Sequence, residues 1–168
     1  RFNNQAEIAD WDIFPTSGII ATSPSWVKVV NGRLEVTSDG DTHAWAGDLA
    51  DYSGDIDIEV DTQWLDGEAN LAYGVNFNYV EETRVEYRFA ITGNGQYFFG
   101  KWIGDDFNYL VPWTSSSAIN KRGSNKLHVV TNDSFILLYV NDGLLITITD
   151  DDALRHGEAY LYVSGGQT

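Results

Sequence analysis

The 168-residue chain has no cysteine, no methionine and only three prolines, and it sets ten Lys and Arg against 25 Asp and Glu. Without cysteine there are no disulfides, no thiol nucleophile and no Cys-ligated zinc. The redox compartment stays open, because such a chain tolerates oxidising and reducing surroundings alike. The shortage of basic side chains leaves a net charge of -15. This argues against nucleic acid as a partner, since that affinity is built by Lys and Arg neutralising phosphates. It argues equally against docking on anionic lipid. No apolar run approaches the roughly 20 residues that span a bilayer, so membrane insertion is not expected. The chain begins at Arg1 and reads as one domain over residues 1–168, either a mature product or a piece of a longer protein.

Glycine and aromatic residues are abundant instead: 16 Gly, 6 Trp, 9 Tyr and 8 Phe. Apolar residues recur at every second position almost throughout. Residues 55–64 alternate without a break, as do 71–79 and 84–91. Such alternation gives each strand one buried and one wet face, as in antiparallel sheets. Gly93-Asn94-Gly95 and Asn141-Asp142-Gly143 read as hairpin turns, because Asn, Asp and Gly tolerate the positive φ of tight reversals. Further strands are expected at 26–30, 33–37, 42–49, 107–113, 126–131 and 158–163. Helical turns are expected only at 115–120 and 150–155. About a dozen short strands imply an all-β, antiparallel two-sheet sandwich or a barrel.

The order of features from Tyr73 to Asp142 is specific. Tyr73-Gly-Val-Asn-Phe-Asn-Tyr79 is followed by Tyr87-Arg-Phe-Ala-Ile-Thr-Gly-Asn-Gly-Gln-Tyr97, Gly100-Lys-Trp102, the stretch 110–120, Asn125-Lys-Leu-His-Val129 and Leu138-Tyr-Val-Asn-Asp142. This resembles the concanavalin A-like (laminin-G-like, lectin/glucanase) jelly-roll sandwich domains of bacterial extracellular and cell-surface proteins. The resemblance implies a jelly-roll β-sandwich in an extracellular or surface setting. It does not choose among glycan-binding modules, glycoside hydrolases and structural domains. Related domains close with a strand after the segment matching 159–164, whereas here the chain stops at Thr168. An open sheet edge, which would invite a partner's strand, is one implication; truncation or a different closure is the other.

Catalysis is tested first. Glucanases of the laminarinase type carry Glu-x-Asp-x-x-Glu or Glu-x-Asp-x-Glu on one strand, and this chain has Glu59-Val-Asp61-Thr-Gln63. Gln63 stands at the acid/base position and cannot exchange a proton near neutral pH. The reading is therefore not an enzyme. His43, His128 and His156 are widely separated, no Gly-x-Ser-x-Gly elbow is present, and Gly93–Gly95 precedes a strand, not a helix.

If Val85, Tyr87 and Phe89 point inward, Arg84, Glu86 and Arg88 point outward; so do Asn76, Asn78, Asp61 and Gln63. With Tyr97, Phe99 and Ile103 buried, Gln96, Phe98 and Trp102 join that wet face. In the resembled sandwich this is the concave sheet. The expected ligand-binding set is Asp61, Gln63, Asn76, Asn78, Arg88, Phe98 and Trp102, with carbohydrate or a cell-surface glycan as ligand. Aromatic rings cover the C–H face of a sugar, while amides and charges bond its hydroxyls. The competing reading is a solvated sheet of cross-strand charge pairs, with Phe98 and Trp102 covered as a second small core.

No cofactor is required, but acidic turns suggest a structural Ca²⁺, first at Asp39 and Asp41, with Asp105-Asp106 and Asp150-Asp-Asp152 as further oxygen clusters. Asn132-Asp-Ser134 is a glycosylation sequon on an expected turn. Residues 135–140 are apolar on both parities; the resemblance implies that Ile136, Leu138 and Val140 belong to the core, which turns Phe135, Leu137 and Tyr139 outward as an apolar interaction surface. Either the N-terminal arm, residues 2–14, covers it, or another subunit does. The latter defines the alternative function: a subunit self-associating into an extracellular filament or matrix.

Overall fold

A computed structural model describes residues 4–9, 12–15, 27–38, 44–47 and 52–164. Apart from one 3-10 turn at Gln5–Ile8, capped by the Asn4 side chain, its regular elements are strands. They are β1 (Asp12–Pro15), β2 (Val27–Val30), β3 (Arg33–Val36), β4 (Ala44–Gly47), β5 (Tyr52–Ser53), β6 (Asp57–Gln63) and β7 (Ala72–Val80). There follow β8 (Val85–Thr92), β9 (Gln96–Ile103), β10 (Asp106–Ser115), β11 (Ser124–Asn132), β12 (Phe135–Val140), β13 (Gly143–Thr149) and β14 (His156–Val163). The segments expected as helical turns, 115–120 and 150–155, form no helix: Ser115 ends β10, and the rest is turn, bend or irregular backbone.

The larger sheet runs β1-β4-β14-β7-β8-β9-β10, with β5 paired to β14; the smaller runs β13-β12-β11-β6; β2 and β3 form a separate hairpin. Every pairing is antiparallel. The Asn141-Asp142 turn has φ of 51° and 64°, as its composition requires. Strand β10 lies at one edge of the larger sheet, carries Pro112, and slips register twice against β9.

The core lies between the two sheets. From the larger come Tyr73, Val75, Phe77, Tyr87, Phe89, Ile91, Tyr97 and Phe99; from the smaller, Leu127, Val129, Ile136, Leu138 and Val140. Phe77, Tyr87 and Phe99 stack across β7, β8 and β9, with centroids 5.3, 5.6 and 6.1 Å apart and interplanar angles below 20°. Burial of each such ring contributes roughly 2 kcal/mol. At their open end Tyr87 Oη donates to Asp150 Oδ2 at 2.5 Å, and Lys101 Nζ donates to the same oxygen at 2.8 Å. Burial and the Asp150 carboxylate push the Tyr87 hydroxyl pKa well above its ordinary value.

Two expectations are corrected here. Ile103 is exposed, and Lys101 takes the inward direction instead, beside Tyr87. Asp12–Pro15 pairs with β4 in the larger sheet, so this part of the arm does not lie over Phe135. Phe135 is exposed, while Leu137 and Tyr139 are half-buried on the same outer face.

Candidate functional site on the outer face of the larger sheet

Strand parity fixes two faces on the larger sheet. The face turned away from the core carries Asn76 from β7, Glu86, Arg88 and Ala90 from β8, Phe98, Gly100 and Trp102 from β9, Phe107 and Tyr109 from β10, and Tyr160 and Tyr162 from β14. Glu86 and Arg88 are two apart on one strand, so they emerge side by side.

Arg88 is the centre. Its Nε donates to Asn76 Oδ1 at 3.0 Å and its Nη2 to Glu86 Oε1 at 3.1 Å. Asn76 Nδ2 donates to the same Glu86 oxygen at 2.9 Å, and Tyr160 Oη donates to Glu86 Oε2. The guanidinium carbon sits 3.9 Å from the Tyr162 ring centroid, 5.7 Å from Trp102 and 6.0 Å from Phe107. Cation–π attraction of this kind reaches about 2 kcal/mol when water is excluded. Glu86 and Arg88 are each only 6 % exposed and Asn76 not at all. Burial pushes the Glu86 carboxyl upward, and the ion pair with Arg88 together with the Asn76 amide opposes it.

The rings are themselves in file. Trp102 lies 5.1 Å from Phe107, Phe107 4.9 Å from Tyr109, Tyr109 5.7 Å from Phe98, and Phe98 4.5 Å from Trp113. Gly100 permits this. A Cβ there would overlap the Phe107 ring and stand 2.8 Å from the Asn108 carbonyl oxygen. Trp102 Nε1 is buried without a hydrogen-bond partner.

The expected binding set is only partly brought together. Asn76, Arg88, Phe98 and Trp102 share this face, but as an enclosed network, not a wet surface. Alternation distinguishes two faces of a strand; it does not reveal that Tyr160, Tyr162, Trp102 and Phe107 pack over the second one. Asn78 is not among them. A register shift between Phe77 and Val80, with Asn78 at φ 54°, turns its side chain toward Tyr52, whose hydroxyl it accepts at 2.5 Å, and toward the Leu154 carbonyl. Burial pushes the Tyr52 hydroxyl up to about 12.

Asp61 and Gln63 belong to the other sheet altogether. Strand β6 pairs with β11, and Asp57, Glu59, Asp61 and Gln63 are exposed on that sheet's outer face. Gln63 Oε1 accepts from Arg33, Glu59 pairs with Lys126, and Asp57 with His128. Residues 55–64 read as part of the concave sheet because their polar residues alternate as cleanly as those of β8. That pattern is common to any half-exposed strand.

Tyr160, Tyr162, Phe107, Tyr109 and Trp113 were missed. Their signal is an aromatic at alternate positions in 107–109 and 160–162, on the parity opposite to the core. Among the described residues no three His, Asp or Glu side chains converge as a metal site. Asp39 and Asp41 lie outside the described residues. At Asp150–Asp152 the Lys101 ammonium bonds the Asp150 carboxylate and, at 3.2 Å, the Asp152 carbonyl.

No protein-family profile and no curated protein matches the sequence. Solved structures do. A carbohydrate-binding module, CBM66 from Bacillus subtilis, superposes with a TM-score of 0.71 at 17% identity, over 99% of this chain and 93% of that one. A Bacillus licheniformis β-glucanase gives 0.62 at 13% identity, over 84% and 70%. A Bacillus subtilis protein of unknown function with a galectin-like fold gives 0.64 at 10% identity, over 98% and 87%. The fold is a concanavalin A-like jelly roll. At these identities the likeness carries the architecture alone, and both binding modules and hydrolases share the jelly roll.

Proposed function

We propose that the protein is a non-catalytic, exported or surface-exposed carbohydrate-binding module whose site is the Arg88 network and its aromatic surround. One observation carries this reading. A guanidinium, a carboxylate and an amide are locked together beneath half-exposed aromatic edges on the outer face of the larger sheet. Rings offer apolar cover to sugar C–H faces, and fixed polar groups orient hydroxyls without further ordering cost.

The same network supports a non-catalytic role. Both Glu86 oxygens are already taken, Oε1 by Asn76 and Arg88 and Oε2 by Tyr160. A carboxyl held by three donors serves poorly as a proton shuttle. The similarity to a carbohydrate-binding module and to a galectin-like fold agrees with this reading.

Affinity electrophoresis through gels containing individual polysaccharides, neutral and acidic, tests it. The wild type is retarded by at least one polymer, Trp102→Ala loses the retardation, and Phe135→Ser on the opposite sheet keeps it. Absence of retardation by every polymer, or full retardation of Trp102→Ala, overturns the reading. Release of new reducing ends that is lost in Glu86→Gln overturns its non-catalytic part.

A further inference from the structure

The aromatic file does not stop at the Arg88 network. It continues over β10 to two rings that are open to solvent, Tyr109 at 52 % and Trp113 at 42 % exposure. Both rest on the buried Phe98, 5.7 and 4.5 Å from its centroid, so their positions are set from beneath. Two large rings held by packing, and not by mutual collapse, present a pre-formed apolar surface whose use costs little side-chain entropy.

Charge narrows what this surface takes. Arg88 is the one Lys or Arg among the strand residues of this face, and Glu86 neutralises it at 3.1 Å. At the β9–β10 turn Asp105 is paired with Arg84, and Asp106 adds a further acid. The net charge of the chain is -15. A polyanion approaching this face meets repulsion and finds no free cation among the described residues.

We infer that Tyr109 and Trp113 form a stacking platform that extends the site along β10, and that the ligand is an uncharged polysaccharide chain engaged through successive sugar units. The inference rests on the carbohydrate-binding reading and adds the ligand class and the second contact. Five rings in mutual contact extend from Trp102 to Trp113, which packs on Phe98 further back along β9, a reach of roughly 13 Å at strand spacing that outruns a single sugar. A chain that begins at the Arg88 network crosses Phe107 and Tyr109 before it reaches Trp113.

The test uses the whole chain in isothermal titration and affinity electrophoresis. The neutral probes are mixed-linkage β-glucan, xylan, galactan, mannan and fructan; the acidic probes are polygalacturonate and alginate. Each neutral polymer is compared with its own monosaccharide and with short oligomers. Retention on a neutral polymer is expected, with none on the acidic pair and affinity rising with oligomer length. Tyr109→Ala and Trp113→Ala should each weaken polymer binding about 10-fold, at an unchanged thermal midpoint. Tyr109→Phe and Trp113→Phe should restore most of it.

Three results overturn the inference while leaving the carbohydrate reading intact. These are binding confined to acidic polymers, equal affinity for a monosaccharide and its polymer, and wild-type affinity in the Tyr109→Ala, Trp113→Ala double variant. Absence of binding to every polymer, by contrast, defeats the carbohydrate reading itself.

Discussion

The Lys101 ammonium lies 2.8 Å from the Asp150 carboxylate, joining the middle of β9 to the segment by which the chain leaves β13. Both side chains are largely enclosed, and Tyr87 bonds the same carboxylate oxygen from the core. Removing one partner leaves the other charge in a low-dielectric place. Asp150→Asn is therefore expected to cost about 3 kcal/mol at pH 7, read from urea unfolding.

The pH dependence of that loss has a definite sign. Burial alone would raise the Asp150 carboxyl, but the Lys101 and Tyr87 hydrogen bonds outweigh it and hold it below its ordinary 3.8. A depressed folded value stabilises the protein above the unfolded value, and the contribution disappears as pH falls through the folded one. The gap between wild type and Asp150→Asn should be full at pH 7 and shrink as the pH drops below about 4.

Glu86 titrates in the opposite sense. Its carboxyl is raised by burial, with Arg88 and Asn76 opposing. In Arg88→Met the strongest opposing group is gone and the carboxyl rises further. An acid whose folded value is raised stabilises the fold below its unfolded value and loses that contribution as pH rises through the folded one. Arg88→Met should be about 3 kcal/mol less stable than wild type at pH 7, and less so toward pH 4. Denaturation series at the two pH values check this.

Gly100→Ala tests the close approach of β10 to β9. The new methyl group and the Phe107 ring claim the same space. Overpacking of this kind costs about 1–3 kcal/mol, and the near-ultraviolet circular dichroism of the aromatic file should change with it. An unaltered spectrum and midpoint would show that Phe107 does not need the glycine.

Asn125 holds the loop before β11. Its Oδ1 accepts from the Asn120 backbone at 2.7 Å and from Asn141 Nδ2 at 2.9 Å, and its Nδ2 donates to the Asn120 carbonyl at 3.0 Å. Asn125→Ala strands those groups and is expected to cost about 1–3 kcal/mol in chemical unfolding. Asn108→Ala on exposed β10 should stay within about 0.5 kcal/mol of wild type.

Much of the architecture is legible in the chain. Period-two alternation identifies β6, β7 and β8, and Asn141-Asp142 marks its own turn because few other pairs adopt positive φ so cheaply. What alternation omits is which strands are neighbours. Asp61 and Arg88 carry equivalent local patterns yet emerge on different sheets, because pairing is decided by long-range packing. Nor does alternation foresee a bulge. One extra residue near Asn78 reverses the parity, so Tyr79 meets Tyr160 edge-on across the outer face while Asn78 turns to Tyr52. The aromatic surround of Arg88 was written in 98–109 and 160–162, but it reads as core until the second face is seen to be packed as well.

The broken rhythm of β10 bears on how the protein behaves in a crowd. With Pro112 lacking an N–H and two slips of register, this margin offers a newcomer no regular comb of donors and acceptors to zip onto. Two greasy rings are thus displayed at the rim of a sheet without making that rim a template for amyloid-like stacking. The same irregular strand carries the two exposed rings and withholds a regular pairing edge.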